Sequence, residues 1–239
     1  RLTDLVRKEL VRPDKPQLPG EDAYRFRHLL IRDAAYEALP KAERAELHER
    51  FAAWLELHGG ALVELDEVLG YHLEQACEYL RELGEPTGDL GARAAARLAT
   101  AGRRALLVRD AAAAANLLGR TVSLAEPSGR DGVELLLDLG SALVDHGEFR
   151  DGEARREQAV ALAQSLSDRT LELRARCELA ILRTVAAPEF TGEQALELAR
   201  GAIEELGPDG DDQTLASAWY LVLAAENLHS QWQESIVAV

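Results

Sequence analysis

Residues 24–56, with the sequence YRFRHLLIRDAAYEALPKAERAELHERFAAWLE, decide how the rest of the chain is interpreted. Apolar residues recur at helical spacing in both halves of this stretch, which predicts two amphipathic helices. Pro40 cannot continue a helix and disfavours helical angles at Leu39, so we expect a tight corner there. Each helix must bury its apolar stripe against the other helix or a neighbour. The two stripes are Ile31, Ala34, Ala35, Ala38 and Leu39, then His48, Phe51, Ala52 and Leu55.

Polar residues interrupt this apolar pattern, and their simplest interpretation is structural. Arg32 and Asp33 would then be solvated, and His28 and His48 would be packed with one hydrogen bond each. A second interpretation places Arg32 and Asp33 partly in the interior, paired with groups outside their own helix. They would then tie the preceding segment to the helices that follow, and Asp33→Ala would cost more than the ~0–1 kcal/mol of a surface pair.

The string FRHxLIRDAAYxxLxxxxRxxLHxxFAxxLE, at residues 26–56, resembles a junction in large bacterial signalling ATPases of the STAND class. These include long LuxR-type regulators and ATPase-linked class III adenylate cyclases. In them the junction follows a winged-helix module and opens a helical-repeat region. The resemblance implies a structural joint, with no catalytic residue in it. The residues that it assigns to the joint are Arg27, His28, Arg32, Asp33, Tyr36, Arg44 and His48.

Composition narrows the classes of partner. The chain has 239 residues, with 27 Lys and Arg against 42 Asp and Glu, for a net charge of −15. A nucleic-acid surface needs a basic footprint, so we expect no direct nucleic-acid contact, and the same charge disfavours anionic lipid. No apolar run approaches the roughly 20 residues of a membrane span. Cys77 and Cys177 lie far apart in helical patterns, which favours reduced, buried thiols and a cytoplasmic location.

The chain begins at Arg1, contains no methionine, and stops within a helical pattern. We therefore expect it to be an excised segment of a longer polypeptide. Residues 1–27 predict a short helix followed by a hairpin with a Pro-rich loop, as at the end of a winged-helix module. This interpretation depends mostly on the resemblance, and the alternative is a disordered tail.

The fold class that we predict is all-α, with stacked antiparallel helix pairs in a tetratricopeptide-like superhelix. We expect at least nine helices and at most one two-stranded hairpin, near residues 11–27. Residues 28–88 would form linker hairpins, and residues 89–239 would form the repeats, truncated at their C-terminus. Gly102 and Gly140, 38 residues apart, would lie where helix A meets helix B, since backbones approach closely only without an intervening side chain.

The third and fourth repeats depart from the pattern. In the third, the corner VAAPEFTGE at residues 185–193 is longer than the pattern allows, which leaves the register open. In the fourth, helix A would include Trp219 and Tyr220, and the chain would turn near Ser230. The residues expected to pack in helix B of the third repeat are Ala195, Ala199 and Ala202.

Motifs that carry chemistry are absent from the sequence. It contains no GxxxxGK[ST] phosphate loop, no HExxH, no paired-cysteine zinc signature and no GxSxG. His72 and Cys77 are five residues apart, which does not place both on one helix face for a metal. We predict no catalytic residue, no cofactor and no metal for this segment. The resemblance makes an ATPase or a nucleotide cyclase the expected activity of the longer protein.

Two classes of function remain, and we favour a protein-interaction and regulatory segment. Its partner would be a protein or peptide, another domain of the same polypeptide, or a second copy in a homo-oligomer. The alternative is an effector-sensing module that binds a small molecule in the groove of the repeats. In either case helix A should line the groove, although its arginines could simply pair with nearby carboxylates. The predicted partner-binding residues are Arg97, Arg103, Arg104, Asp138, Ser141 and Asp145.

Overall fold

The computed structural model describes residues 2–16, 18, 20–60, 62–187 and 189–237, with side chains described through Asn227. These residues form eleven helices and one two-stranded antiparallel sheet, which confirms the all-α prediction and its single hairpin. The first elements are α1 (Leu2–Arg7), β1 (Val11–Asp14), β2 (Ala23–Phe26), α2 (Leu29–Glu37), α3 (Lys41–His58) and α4 (Leu65–Leu83). The later helices are α5 (Leu90–Leu107), α6 (Ala111–Leu124), α7 (Gly129–Asp145), α8 (Phe149–Ser165), α9 (Arg169–Ala186), α10 (Gly192–Leu206) and α11 (Asp212–Val237).

The chain divides into two compact units, Arg1–Ala101 and Gly102–Val239. In the first unit, β1 pairs with β2 in the register Val11↔Phe26, and α3 packs along α4. A close helix approach lies at Gly70, where an added Cβ would stand 2.6 Å from Leu98 Cδ2. The first unit is therefore a hairpin followed by closely packed helices.

Helix α2 departs from the sequence expectation. Its residues Leu29–Glu37 include none that is buried, although Ile31 and Ala34 belong to the predicted apolar stripe. Its partner α3 does bury the predicted His48, Ala52 and Leu55. Helix α2 therefore lies on the surface of this unit.

The second unit is a run of antiparallel helix pairs with small residues at their crossings. We call the first helix of each pair helix A (α5, α7, α9 and α11) and the second helix B (α6, α8 and α10). An added Cβ at Gly102 would lie 2.7 Å from Leu118 Cγ, and one at Gly140 would lie 2.9 Å from Arg156 Cγ. Both glycines are buried at a contact between helix A and helix B, as predicted. The packing in this unit is that of a tetratricopeptide-like repeat.

The third and fourth helix pairs agree only in part with the sequence prediction. Helix α9 ends at Ala186, and Thr191 and Gln194 form a capping box that starts α10 at Gly192. Ala195, Ala199 and Ala202 are all buried, as predicted. The expected turn near Ser230 is wrong, because α11 continues to Val237 as one helix of 26 residues. Its sequence contains no glycine or proline that would end a helix there.

Candidate functional site

In the second unit, the candidate functional site is the polar face of α7. Glu134, Asp138, Ser141 and Asp145 follow one another at intervals of four, three and four residues, which places them in one stripe along the helix. The first three are half-buried and Asp145 is exposed, while the opposite face packs in the core. We call these four residues the helix-A stripe. It includes three of the predicted partner-binding residues.

The helix-A stripe is joined to the helices on either side of it. Arg103 on α5 donates from Nε to Asp138 Oδ2 at 2.7 Å. Arg174 on α9 donates from Nη1 to Glu134 Oε1 at 2.6 Å, and from the same nitrogen to Gln213 Oε1 on α11 at 2.7 Å. Three side chains from successive A helices are thus linked through Arg174. These bonds stabilise the stacking of repeats, whatever else the face binds.

The spacing of residues in the sequence indicates these contacts between A helices, which we call the ladder. The partners Arg103–Asp138, Glu134–Arg174 and Arg174–Gln213 are 35, 40 and 39 residues apart. These separations lie close to the 38 residues between Gly102 and Gly140. An arginine and a carboxylate or amide side chain separated by one repeat length therefore predict contacts between equivalent helices.

Arg156 is the most buried charge at the helix crossings, with its side chain 7% exposed. It donates from Nη1 to the backbone oxygen of Glu178 at 2.7 Å and from Nη2 to Ser141 Oγ at 3.2 Å. Burial lowers the pKa of its guanidinium, and the charges of Glu178 and Asp145 oppose that shift. Ser141 is therefore engaged in packing α7 against α8, in addition to its place in the stripe.

The remaining predicted partner-binding residues are Arg97 and Arg104. Arg97 lies in the first unit and donates to Asp66 Oδ1 at 3.0 Å and to Glu56 Oε1 at 3.2 Å. Burial alone would lower the pKa of Arg97, but the hydrogen bonds that it donates to these carboxylates, together with their charges, raise it. Arg104 is exposed on α5 in the second unit. For Arg97 and Arg103, the structure therefore shows the pairing with nearby carboxylates that we considered as an alternative.

Three of the predicted joint residues meet in one cluster. The Tyr36 hydroxyl lies 2.7 Å from His48 Nε2, and the guanidinium of Arg44 stands 4.9 Å from the centroid of the Tyr36 ring. The cluster also contains His72 and Tyr79 from α4, which the sequence did not single out for this role. We call these five residues the tyrosine–histidine cluster.

The other joint residues do not behave as we expected. Arg32 and Asp33 pair with each other within α2, at 2.6 Å, and their side chains are 57% and 39% exposed. The prediction that they pair outside their own helix is wrong, since Arg32 bonds Asp33 of the same helix and α2 buries no residue against a neighbour. Arg27 lies 3.6 Å from Glu9 as an exposed ion pair, and His28 is exposed just before α2 instead of packed.

The described residues show no arrangement of known catalytic type. Among the described side chains, no group of three or more His, Cys, Asp or Glu is placed to hold a metal ion. No helix in the described part of the chain combines the length and apolar character needed to cross a bilayer. Cys77 and Cys177 are free and buried, and burial raises the pKa of the Cys177 thiol to about 12. That thiol is therefore protonated at neutral pH.

Comparisons with known proteins yield fold likenesses only. No protein-family model matches the chain, and no curated protein matches it. One similar solved structure is the Q17M variant of a kinesin light chain-like protein from Podosopora anserina with nearly identical TPR-like repeats. It is 16% identical, with a TM-score of 0.48, and the match covers 82% of this chain and 91% of that one.

A second structure of the same Podosopora anserina protein, without that substitution, is 18% identical with a TM-score of 0.45. The match covers 80% of this chain and 88% of that one. These values are too low to support an argument of their own. The assignment of helical repeats therefore depends on the helix pairs and their glycine crossings.

Proposed function

We propose that this chain is a protein-interaction and regulatory segment of a larger cytoplasmic bacterial signalling ATPase. The output of that protein would be a transcription factor or an adenylate cyclase. Support for the interaction role comes from the helical-repeat packing, and support for the parent comes from the resemblance at residues 26–56. In this proposal the segment itself does no chemistry, and any ATPase or cyclase activity resides elsewhere in the polypeptide.

The observation that carries the interaction role is the helix-A stripe. Its four polar residues occupy one side of α7, while the opposite side fills the core through residues such as Leu136 and Leu139. Because neighbouring A helices are tied to this stripe, they present a continuous polar surface of fixed geometry. Surfaces of stacked repeats that are rigid and polar suit an extended segment of another chain.

We expect the partner to be an extended acidic segment. Arg104 is exposed, and Arg103 keeps 46% of its side chain accessible while it bonds Asp138. An acidic partner would bind these two cations at one end of the surface, and Asp145 would set its direction by repulsion at the other. The partner is a peptide, another domain of the same protein, or an acidic face of a second copy.

Charge reversal tests this proposal in the full-length protein. We expect the double change Arg103→Glu and Arg104→Glu to abolish capture of a crosslinked partner or to dissociate the oligomer, measured by crosslinking and light scattering. The matched control is Arg155→Glu with Arg200→Glu, which changes the charge equally on the B helices α8 and α10. If the first variant leaves every partner and the oligomeric state unchanged, the helix-A face is not the binding surface.

A second candidate is an effector-sensing module. The observation in its favour is an open cavity of about 420 Å³ in the second unit, lined by Phe149, Arg150, Glu153, Val185 and Ala186. An apolar wall beside one arginine suits a small organic anion. A thermal-shift screen of such anions tests it. Stabilisation that disappears in Arg150→Gln would favour this candidate over the peptide-binding one.

A further inference from the structure

The tyrosine–histidine cluster contains an unusual contact between two imidazoles. His48 Nδ1 and His72 Nδ1 lie 2.8 Å apart, and the other nitrogen of His48 lies 2.7 Å from the Tyr36 hydroxyl. The Tyr36 hydroxyl also lies 2.9 Å from the Tyr79 hydroxyl. A chain of three hydrogen bonds therefore runs from His72 through His48 and Tyr36 to Tyr79, and it joins α4, α3 and α2.

This chain of hydrogen bonds limits how many protons the two histidines can hold. With both rings neutral, one Nδ1–H donates to the other Nδ1. A single added proton is compatible with the geometry, because a charged His48 can donate to both His72 and Tyr36. A second added proton places two N–H groups face to face, so the hydrogen bond is lost and two like charges are left in contact. The contact therefore excludes the doubly protonated state.

The surroundings of the pair also disfavour positive charge. The Arg44 guanidinium on α3 lies over Tyr36 at 4.9 Å and over Tyr79 at 5.6 Å, measured to the ring centroids. From α4, the Tyr71 ring lies 5.2 Å from the His72 ring, and from α3 the Phe51 ring lies 4.7 Å from it. The rings next to the pair are thus phenols and a hydrocarbon ring, and the Arg44 cation lies over two of the phenols. Burial raises the pKa of Tyr36, so its phenol stays protonated.

Helix α2 depends on this cluster for its contact with α3 and α4. It contains no buried residue, and Tyr36 is the α2 side chain that hydrogen-bonds to both helices. The corner behind it is held separately, because Arg44 donates from Nε to the Leu39 oxygen at 2.9 Å and from Nη2 to the Glu37 oxygen at 2.8 Å. Loss of the Tyr36 contacts would free α2 to pivot about a corner that stays in place.

We propose that His48 and His72, with Tyr36 and Tyr79, form an acid-sensitive latch on α2. The latch is closed while the two imidazoles share one hydrogen-bonding proton. It opens when both are protonated, because the two charged rings then separate and His48 leaves its place against the Tyr36 hydroxyl, which releases α2 from α3 and α4. This inference is independent of the proposed partner surface, which lies on the second unit.

The direction of the pH effect follows from the pKa values of the two rings. Burial lowers the pKa of His48, and burial together with the His48 charge lowers the pKa of His72 to about 4. In the open state both would titrate near the ordinary value of about 6.5. Since the closed state binds fewer protons, its stability is full above that value and is lost as pH falls from about 6.5 towards about 4. After allowance for solvent screening of the half-buried rings, we expect opening of α2 to increase about tenfold between pH 7.5 and pH 5.0.

Hydrogen exchange of the intact chain tests the latch. We expect the protection of residues 29–39, corrected for the intrinsic pH dependence of exchange, to fall about tenfold between pH 7.5 and pH 5.0. Residues 65–83 in α4 should keep their protection over the same range. In His72→Gln, an amide can accept the His48 proton but cannot be charged, so the fall should largely disappear. The matched control is His58→Gln, an exposed histidine on the same α3 helix, which should retain the full effect.

Two results would overturn the latch. One is protection of residues 29–39 that does not change with pH, and the other is an acid-induced fall that survives in His72→Gln. If that variant does not fold, the titration of the unmodified chain by histidine NMR decides. The latch predicts that His48 and His72 titrate in separate steps below the ordinary value, and two coincident titrations near pH 6.5 would contradict it.

Discussion

Gly140 shows at the scale of one residue how the sequence encodes a helix crossing. Its missing side chain lets Arg156 of α8 lie against α7, with the position of an added Cβ 2.9 Å from Arg156 Cγ and 3.2 Å from the Gly152 oxygen. The glycine was predictable from the repeat spacing. The arginine was not, because a long charged side chain rarely packs at a crossing between helices, and nothing in its local sequence shows that Ser141 and Glu178 will partner it.

Substitution of Gly140 by alanine should therefore destabilise the protein. The new methyl group would lie 2.9 Å from Cγ of the buried Arg156 and 3.2 Å from the Gly152 oxygen, so both must shift, and we expect a loss of about 1–3 kcal/mol in the free energy of unfolding. The matched control is Gly201→Ala on α10, where an added Cβ meets nothing within 4 Å. That change should stabilise by about 0.5–1 kcal/mol, since alanine is the better helix former. Urea unfolding of both variants measures the difference. A free energy of unfolding that Gly140→Ala leaves unchanged would refute the close crossing.

The Arg32–Asp33 pair corrects our interpretation of the joint. The motif includes Tyr36, Arg44 and His48, and these three side chains lie together in the structure. It could not show that Arg32 and Asp33 would pair within α2, since a one-dimensional pattern does not reveal that α2 buries nothing. Burial depends on tertiary partners and not on the periodicity of the helix alone.

Asp33→Ala should consequently have little effect on stability. The pair is exposed and adjacent in sequence, so we expect a change of about 0–1 kcal/mol in the free energy of unfolding. Tyr36→Phe removes two hydrogen bonds at the same helix and serves as the comparison, with an expected loss of about 1–2 kcal/mol. Thermal or urea unfolding measures both. A loss for Asp33→Ala larger than that for Tyr36→Phe would restore the original interpretation of the joint.

At the scale of elements, glycine and proline predicted where helices end, and the spacing of apolar residues predicted which face each helix buries. The third corner shows the limit of this reasoning. The sequence indicated a long corner over residues 185–193, yet it did not show that the Thr191–Gln194 capping box would start α10. The continuous α11 was missed because a repeat pattern demanded a turn where no residue breaks the helix. Local propensity prevailed over the expected period.

The contact of α9 with α7 through Arg174 and Glu134 provides an element-scale prediction. Their side chains are 17% and 29% exposed, and the charged atoms lie 2.6 Å apart. A double-mutant cycle with Arg174→Met and Glu134→Gln should give a coupling energy of about 1–2 kcal/mol in urea unfolding. The control cycle is the exposed pair Arg50–Glu46 on α3, for which we expect less than about 0.5 kcal/mol. Equal couplings would mean that the ladder does not stabilise the stacking of A helices.

At the scale of the whole molecule, the net charge and its pairing determine the character of the surface. The net charge is −15, and several arginines are engaged by carboxylates on neighbouring helices, among them Arg103 and Arg174. The helix-A stripe is consequently a polar surface with much of its charge already compensated. Such a surface distinguishes partners by register and direction, since each side chain is held in place before binding.

The most direct test of the proposed role maps where other chains touch the molecule. A photo-crosslinking residue is placed at Arg104 or Asp145 on the A helices, or at Gln158 or Arg200 on the B helices, within the full-length protein. Crosslinked peptides are then identified by mass spectrometry. We predict that crosslinks to another domain, a second copy or a bound peptide form from Arg104 and Asp145 and are absent from Gln158 and Arg200. Crosslinks that form from the B helices alone would contradict the assignment of the helix-A face as the interaction surface.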